Sequence, residues 1–138
     1  MATDASSLLG VPQRAAVRVM AKGSTAKMLT LGSLGIAMAE ASGKQAKVDT
    51  PAFGRVGLLA VTDDEVALVS MAGAITLKPK AVVTRVPRAS VTGMHVGGGM
   101  ASTKVVVLFA DDTAWLVEVP KNLAKQARAV AAELGFAQ

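Results

Sequence analysis

Two periodicities divide the chain. Through residues 12–42, Ala, Met and Leu recur with helical spacing, whereas from residue 55 to 120 short β-branched runs alternate with polar turns. In the first stretch Arg14, Arg18 and Lys22 fall at i, i+4 and i+8, which predicts a helix with three cations on one side and Ala16, Val19 and Met20 on the other. Gly23-Ser24 interrupts it, and Ser24 suits the cap of a second helix. Residues 28–39 are uncharged and apolar on every side. As a helix they span about 18 Å, short of the roughly 30 Å hydrocarbon core of a membrane. A helix without a polar face still has to be covered. Small residues four apart (Ser33 with Ala37, Gly35 with Ala39) let helices approach closely, which nominates Met28, Leu31, Gly32, Leu34, Gly35, Ile36 and Met38 for self-association or partner docking. Packing on the chain's own β region is the alternative. A third is an anionic membrane surface met by Arg14, Arg18 and Lys22. Residues 43–54 read as a linker, with Gly43 as a helix C-cap and Pro51 as a stop.

The β region parses into hairpins. Runs 56–61 and 66–71 flank Thr62-Asp63-Asp64-Glu65, and runs 105–109 and 115–119 flank Ala110-Asp111-Asp112-Thr113. Asp suits such turns because its carboxylate bonds its own backbone. Between the hairpins lie strand-like segments at 75–77, 82–86 and 90–96, with Pro79 and Pro87 at strand ends or edges and Gly97-Gly98-Gly99 as a flexible connection. A closing helix starts near Pro120 and Asn122, carries Leu123, Ala127, Val130 and Leu134 on one stripe, and ends at Gly135 with Phe136 folding back. The expected architecture is α+β: an antiparallel barrel or sandwich of six or seven strands with a C-terminal capping helix, preceded by an N-terminal helical segment. Two regions follow, a helical arm at 1–48 and a β domain at 53–136.

The run Gly54-Arg55-Val56-Gly57-Leu58-Leu59-Ala60-Val61-Thr62-Asp63-Asp64-Glu65-Val66, the strand Val86-Pro87-Arg88-Ala89-Ser90-Val91-Thr92 and the hairpin Phe109-Ala110-Asp111-Asp112-Thr113-Ala114-Trp115 together resemble the bacterial pleckstrin-homology-like (PH-like, GRAM-like) family of the actinobacterial type. The resemblance covers residues 53–136 and implies a non-enzymatic domain. Glu65 and Val66 stand where relatives often carry Arg and Leu, and Asp112 replaces a turn glycine. By fold-level analogy, basic residues near one loop end hold anionic headgroups in relatives of this fold, which nominates Lys78, Lys80, Arg85, Arg88 and Lys104.

Composition narrows the function classes. With 51% hydrophobic and 18% charged residues the chain suits a globular domain. No cysteine is present, so disulfides and thiolate chemistry are excluded. Net charge is +5, and residues 66–110 contain no acid, which favours an anionic partner; a positive balance that serves only solubility is the plainer reading. Three Phe, one Trp and no Tyr leave little for stacking on bases, which argues against nucleic acid. His95 is the sole histidine, so a histidine metal site is excluded, and the adjacent aspartates diverge in turns rather than converging on one bond. Gly97-Gly98-Gly99 precedes a β run, not the helix a phosphate loop requires. No cofactor and no catalysis are expected. Nothing in the first ten residues resembles a secretory signal, so the expected location is cytoplasmic, at the inner membrane face if peripheral. The expected role is an interaction or scaffold module that self-associates or docks to a partner protein or membrane face through its N-terminal helices. Anionic-lipid or small-ligand binding is the alternative.

Overall fold

In this computed structural model, residues 4–21, 28–30, 45–73, 77–97 and 102–136 are described. Their elements, in chain order, are α1 (Ser6–Leu9), β1 (Ala15–Ala21), β2 (Met28–Thr30), β3 (Gln45–Val48), β4 (Val56–Val61), β5 (Glu65–Ala72), β6 (Lys78–Pro87), a 3₁₀ turn (Arg88–Ser90), β7 (Val91–Gly97), β8 (Ser102–Phe109), β9 (Thr113–Pro120), a second 3₁₀ turn (Lys121–Leu123) and α2 (Ala124–Glu133). The nine strands form one mostly antiparallel sheet. One run is β1-β4-β5-β6, and a meander, β7-β8-β9, joins it where Met20 and Ala21 pair with Glu118 and Val117. No pairing joins β6 to β7, so the sheet stays open there.

Local chemistry makes both acid-rich turns. Thr62 donates its N–H to the Glu65 carbonyl at 2.9 Å, and its hydroxyl accepts the Glu65 N–H at 3.1 Å. At the other tip Asp112 adopts a left-handed φ of 65°, and Asp111 Oδ1 accepts from the N–H and hydroxyl of Thr113 at 3.1 and 2.5 Å. The closing helix ends as its sequence requires. Gly135 takes φ +94°, its N–H bonds the Ala132 carbonyl, and the Phe136 N–H bonds the Ala131 carbonyl. That pair of bonds is a Schellman cap.

The N-terminal helix expected along Arg14, Arg18 and Lys22 is not what forms. Residues 15–21 are a strand inside the sheet, paired with β4 from Ala15↔Val61 to Met20↔Val56. The run alternates in burial: Val17 and Val19 are inside and Arg18 is exposed. Spacings of four suit a strand as well as a helix, since four is a multiple of two. The β-branched valines and the available partners on both sides then decide against the alanines' helix propensity. Arg14 lies just before the strand, and Lys22 falls outside the described residues. Likewise Met28 belongs to strand β2, not to an apolar helix. Leu31, Gly32, Leu34, Gly35, Ile36 and Met38 lie outside the described residues, as do Gly43, Gly98, Gly99 and most of the strand expected at 75–77. The linker expected at 43–54 contains β3, which pairs parallel with the start of β9 at Lys47↔Thr113 and Val48↔Ala114. The helical arm and the β domain expected as separate regions therefore share one sheet.

Burial explains why simple alternation faded in the central strands. Inside the sheet, Leu59, Val61, Val66, Leu68, Met94, Val107 and Val117 pack with Ala127, Val130 and Ala131 of α2. The other face of β4 and β5 is buried as well: Leu58, Ala60, Ala67 and Val69 pack beneath Ala5 and Leu9. Strands covered on both faces read as continuous apolar runs. The N-terminal cover is tied down by its own polar groups, since Gln13 accepts the Ala5 N–H and the Ser6 hydroxyl accepts the Gln13 N–H, each at 2.9 Å.

Gly57 marks the tightest approach in the core. A Cβ there would run into the Phe53 ring and sit 3.0 Å from the Val69 carbonyl. Gly57→Ala is therefore expected to lower stability by about 1–3 kcal/mol, measured by urea unfolding, through overpacking rather than strand propensity. A variant as stable as the parent would show that Phe53 is free to swing aside.

Candidate functional site

The structure separates the five basic candidates into two groups. Arg85 and Arg88 belong to the frame. Arg85 donates from Nε and Nη2 to Glu65 Oε1 at 3.0 and 2.6 Å, and from Nη2 to the Leu9 carbonyl at 2.9 Å. Arg88 donates from Nη1 to the Thr62 carbonyl at 2.9 Å and from Nη2 to the carbonyl and carboxylate of Glu133, the latter at 3.1 Å. Arg14, read earlier as membrane-facing, is paired with Asp63, whose carboxyl is held below its ordinary range by that guanidinium. Lys78, Lys80 and Lys104 are exposed. Lys78 lies seven residues along β6 from Arg85, roughly 20 Å away. Lys104 stands opposite Glu118 on the neighbouring strand. The five cations therefore do not converge on one anion.

The groups considered for catalysis are equally dispersed. His95 pairs across from Val106, and its neighbours Met94 and Val96 point into the core, so its ring projects from the outer face of β7. Ser90 lies in the 3₁₀ turn before β7, and its hydroxyl donates to the Pro87 carbonyl at 2.7 Å. Among the described residues, no three His, Asp or Glu side chains are grouped to hold a metal ion. No helix among them is long and apolar enough to cross a membrane.

A cleft of about 370 Å³ opens between the C-terminal end of β6 and the β8–β9 hairpin. One wall is Thr84, Val86 and Pro87, with Ser90 in the turn that follows. The facing wall comes from the β8–β9 hairpin, with Phe109, Asp111, Thr113 and Trp115. Asp49 and Pro51 close the third side. They are held there because the Asp49 N–H bonds the Ala114 carbonyl at 2.8 Å and the Thr50 hydroxyl accepts the Leu116 N–H at 2.9 Å. Phe109 and Trp115 meet edge to face, with ring centroids 4.7 Å apart at 64°. The hydroxyl and N–H of Thr113 stabilise the Asp111 carboxylate and hold its pKa below the ordinary value. Sequence reasoning missed this site. In the sequence Asp49 falls in the expected linker and Trp115 in a strand of the second hairpin, and only their long-range meeting with β6 makes a cleft. The available signal was the lone Trp placed beside an Asp-rich turn.

Two predictions follow from the side chains spent on the frame. Arg88→Met keeps the aliphatic stem but strands the carbonyls of Thr62 and Glu133, so unfolding free energy should drop by about 1–3 kcal/mol in urea titrations. His95 makes a separate, pH-dependent contribution. Its Nε2 is sealed from solvent without a hydrogen-bond partner, and burial pushes the imidazole below its ordinary value of 6.5. The unfolded chain then takes up the proton first, so stability is full above about pH 6.5 and declines as the pH falls from there toward the lower folded-state value. Urea midpoints between pH 7 and 5 should decline in the parent and stay level in His95→Val. Asp4, Asp63 and Asp111 do not interfere, because all three are shifted below their ordinary 3.8.

No family model, curated protein or solved structure matches this chain.

Proposed function

We propose that the chain is a non-catalytic interaction module of the PH-like kind, which self-associates or docks to a partner protein or membrane face. The observation that carries the reading is the plan of the sheet. Seven strands (β1 and β4–β9) run in antiparallel order and are followed by a single helix packed against β1 and β7, with β2 and β3 added between the first strand and the second. The resemblance implies six or seven antiparallel strands closed by one helix within residues 53–136; the succession β4–β9 then α2 supports that reading, while β1 joins the same sheet from outside that span. The side chains best suited to chemistry are engaged in the frame: Arg85 with Glu65, Arg88 with Glu133, Asp63 with Arg14, Asp111 with Thr113. Contact surface supports the interaction role. Leu8 and Val11 are large and apolar yet 38% and 43% exposed, and they belong to the same N-terminal part of the chain as the apolar run at 31–39.

A second reading, attraction to an anionic surface, keeps Lys78, Lys80 and Lys104, which are exposed and free of the arginine network. Light scattering on the full chain is expected to give at least twice the 14.0 kDa monomer mass, or else sedimentation with anionic liposomes that weakens with salt and on charge reversal at those three lysines. A 14.0 kDa particle that ignores liposomes would overturn both readings.

A further inference from the structure

We propose that the cleft between β6 and the β8–β9 hairpin binds an organic cation, an amine or guanidinium carried on an apolar stem. The argument begins with its hydrogen-bonding groups. The Ser90 hydroxyl spends its proton on the Pro87 carbonyl at 2.7 Å, and the Thr113 hydroxyl spends its own on Asp111 at 2.5 Å. What both oxygens still have to offer is lone pairs. Pro51 and Pro87 have no N–H. Asp49 and Asp111 offer only acceptors while ionised. Thr84 and Trp115 add one hydroxyl and one indole N–H, so among the described lining groups acceptors outnumber free donors, which suits a ligand that brings protons.

Charge points the same way. The chain carries +5, yet among the described residues no lysine or arginine lines this cleft, which holds two carboxylates. The arginines at the same end of the sheet are already committed to Asp63, Glu65 and Glu133. An anion would meet two like charges without a counter-cation, and a neutral ligand would leave them unpaired. Below the rim the wall turns apolar through Val86, Phe109 and Trp115, which suits a short hydrocarbon stem, and aromatic rings additionally favour a cation. The volume lies at the lower end for small-ligand sites, large enough for one side-chain-sized molecule.

A polypeptide strand added along the open edge of β6 is the competing occupant. That edge carries Pro79 and Pro87, lysines at 78 and 80, and two register shifts against β5. Those are the features by which edge strands resist further pairing.

Trp115 supplies the measurement. It lines the cleft and is the only Trp in a chain without Tyr, so intrinsic emission reports on this site alone. The full chain would be titrated with agmatine, with a terminally blocked Arg- and Lys-containing tripeptide, and with butanol and butyrate as neutral and anionic stems. A saturable emission change with agmatine, the tripeptide or both is expected, weakening with salt and absent with butanol and butyrate. Saturation by agmatine at lower concentration marks a free small molecule as the source of the cation. Saturation by the tripeptide at lower concentration marks a partner's side chain. Asp49→Asn should raise Kd about tenfold or more, as expected for losing a charge-assisted bond. Asp111→Asn should do the same while keeping an acceptor for Thr113. The proposal is overturned if neither cation gives a saturable change, if butanol or butyrate binds as well, or if Asp49→Asn binds like the parent. Light scattering on the same samples separates this outcome from the self-association reading, because a monomer that binds agmatine refutes only the latter.

Discussion

Arg88 holds together parts that the sheet alone leaves apart. It sits in the 3₁₀ turn where the chain crosses from β6 to β7 without the two strands pairing. Its backbone N–H bonds the Asp64 carbonyl at 2.8 Å, and its guanidinium reaches both the β4–β5 turn and the last turn of α2. A rigid planar fork with several donors suits this task, and a lysine does not replace it. Its charge also sits against the carbonyl end of α2, where the helix dipole is negative. The hairpin, the crossover and the helix are thus fixed by one side chain rather than by continuous strand pairing.

What was legible in the sequence was legible because its cause is local. Thr62 with the acids after it, and Asp111 with Thr113, form turns from bonds made within four residues, so both hairpins could be placed in advance. The closing helix was equally readable, since its stripe and the Gly135-Phe136 cap lie in one short run. β1 was misread for a physical reason. A cation every fourth residue is compatible with both periods, and its strand state depends on β4 and β9, whose nearest paired residues lie far along the chain. β3 alternates as Gln-Ala-Lys-Val but is only four residues long, too short for its period to stand out, and its parallel partner in β9 lies far along the chain. The cleft joins Asp49, Thr84 and Trp115, which no local pattern connects.

Near the open side two arginines and three lysines are used differently. Arg85 and Arg88 are drawn into multiple contacts with carbonyls and carboxylates near the crossover, while Lys78, Lys80 and Lys104 stay exposed. Guanidinium is the less strongly hydrated cation and tolerates half-buried positions, whereas ammonium favours full solvation. The net positive charge is therefore two populations, one holding the frame and one left to act outward.

Thr30 and Gln45 face each other across the β2–β3 ladder, so two residues far apart along the chain are anchored at one paired position. The two are held at a fixed separation by backbone bonds, and β3 passes that anchorage to β9. The free energy of such a closed loop rises only with the logarithm of its length, about 0.6 kcal/mol for each doubling. Residues added or removed between these two anchors should therefore change the stability of the frame little, which makes this the place where the chain can be given a new segment without rebuilding the sheet.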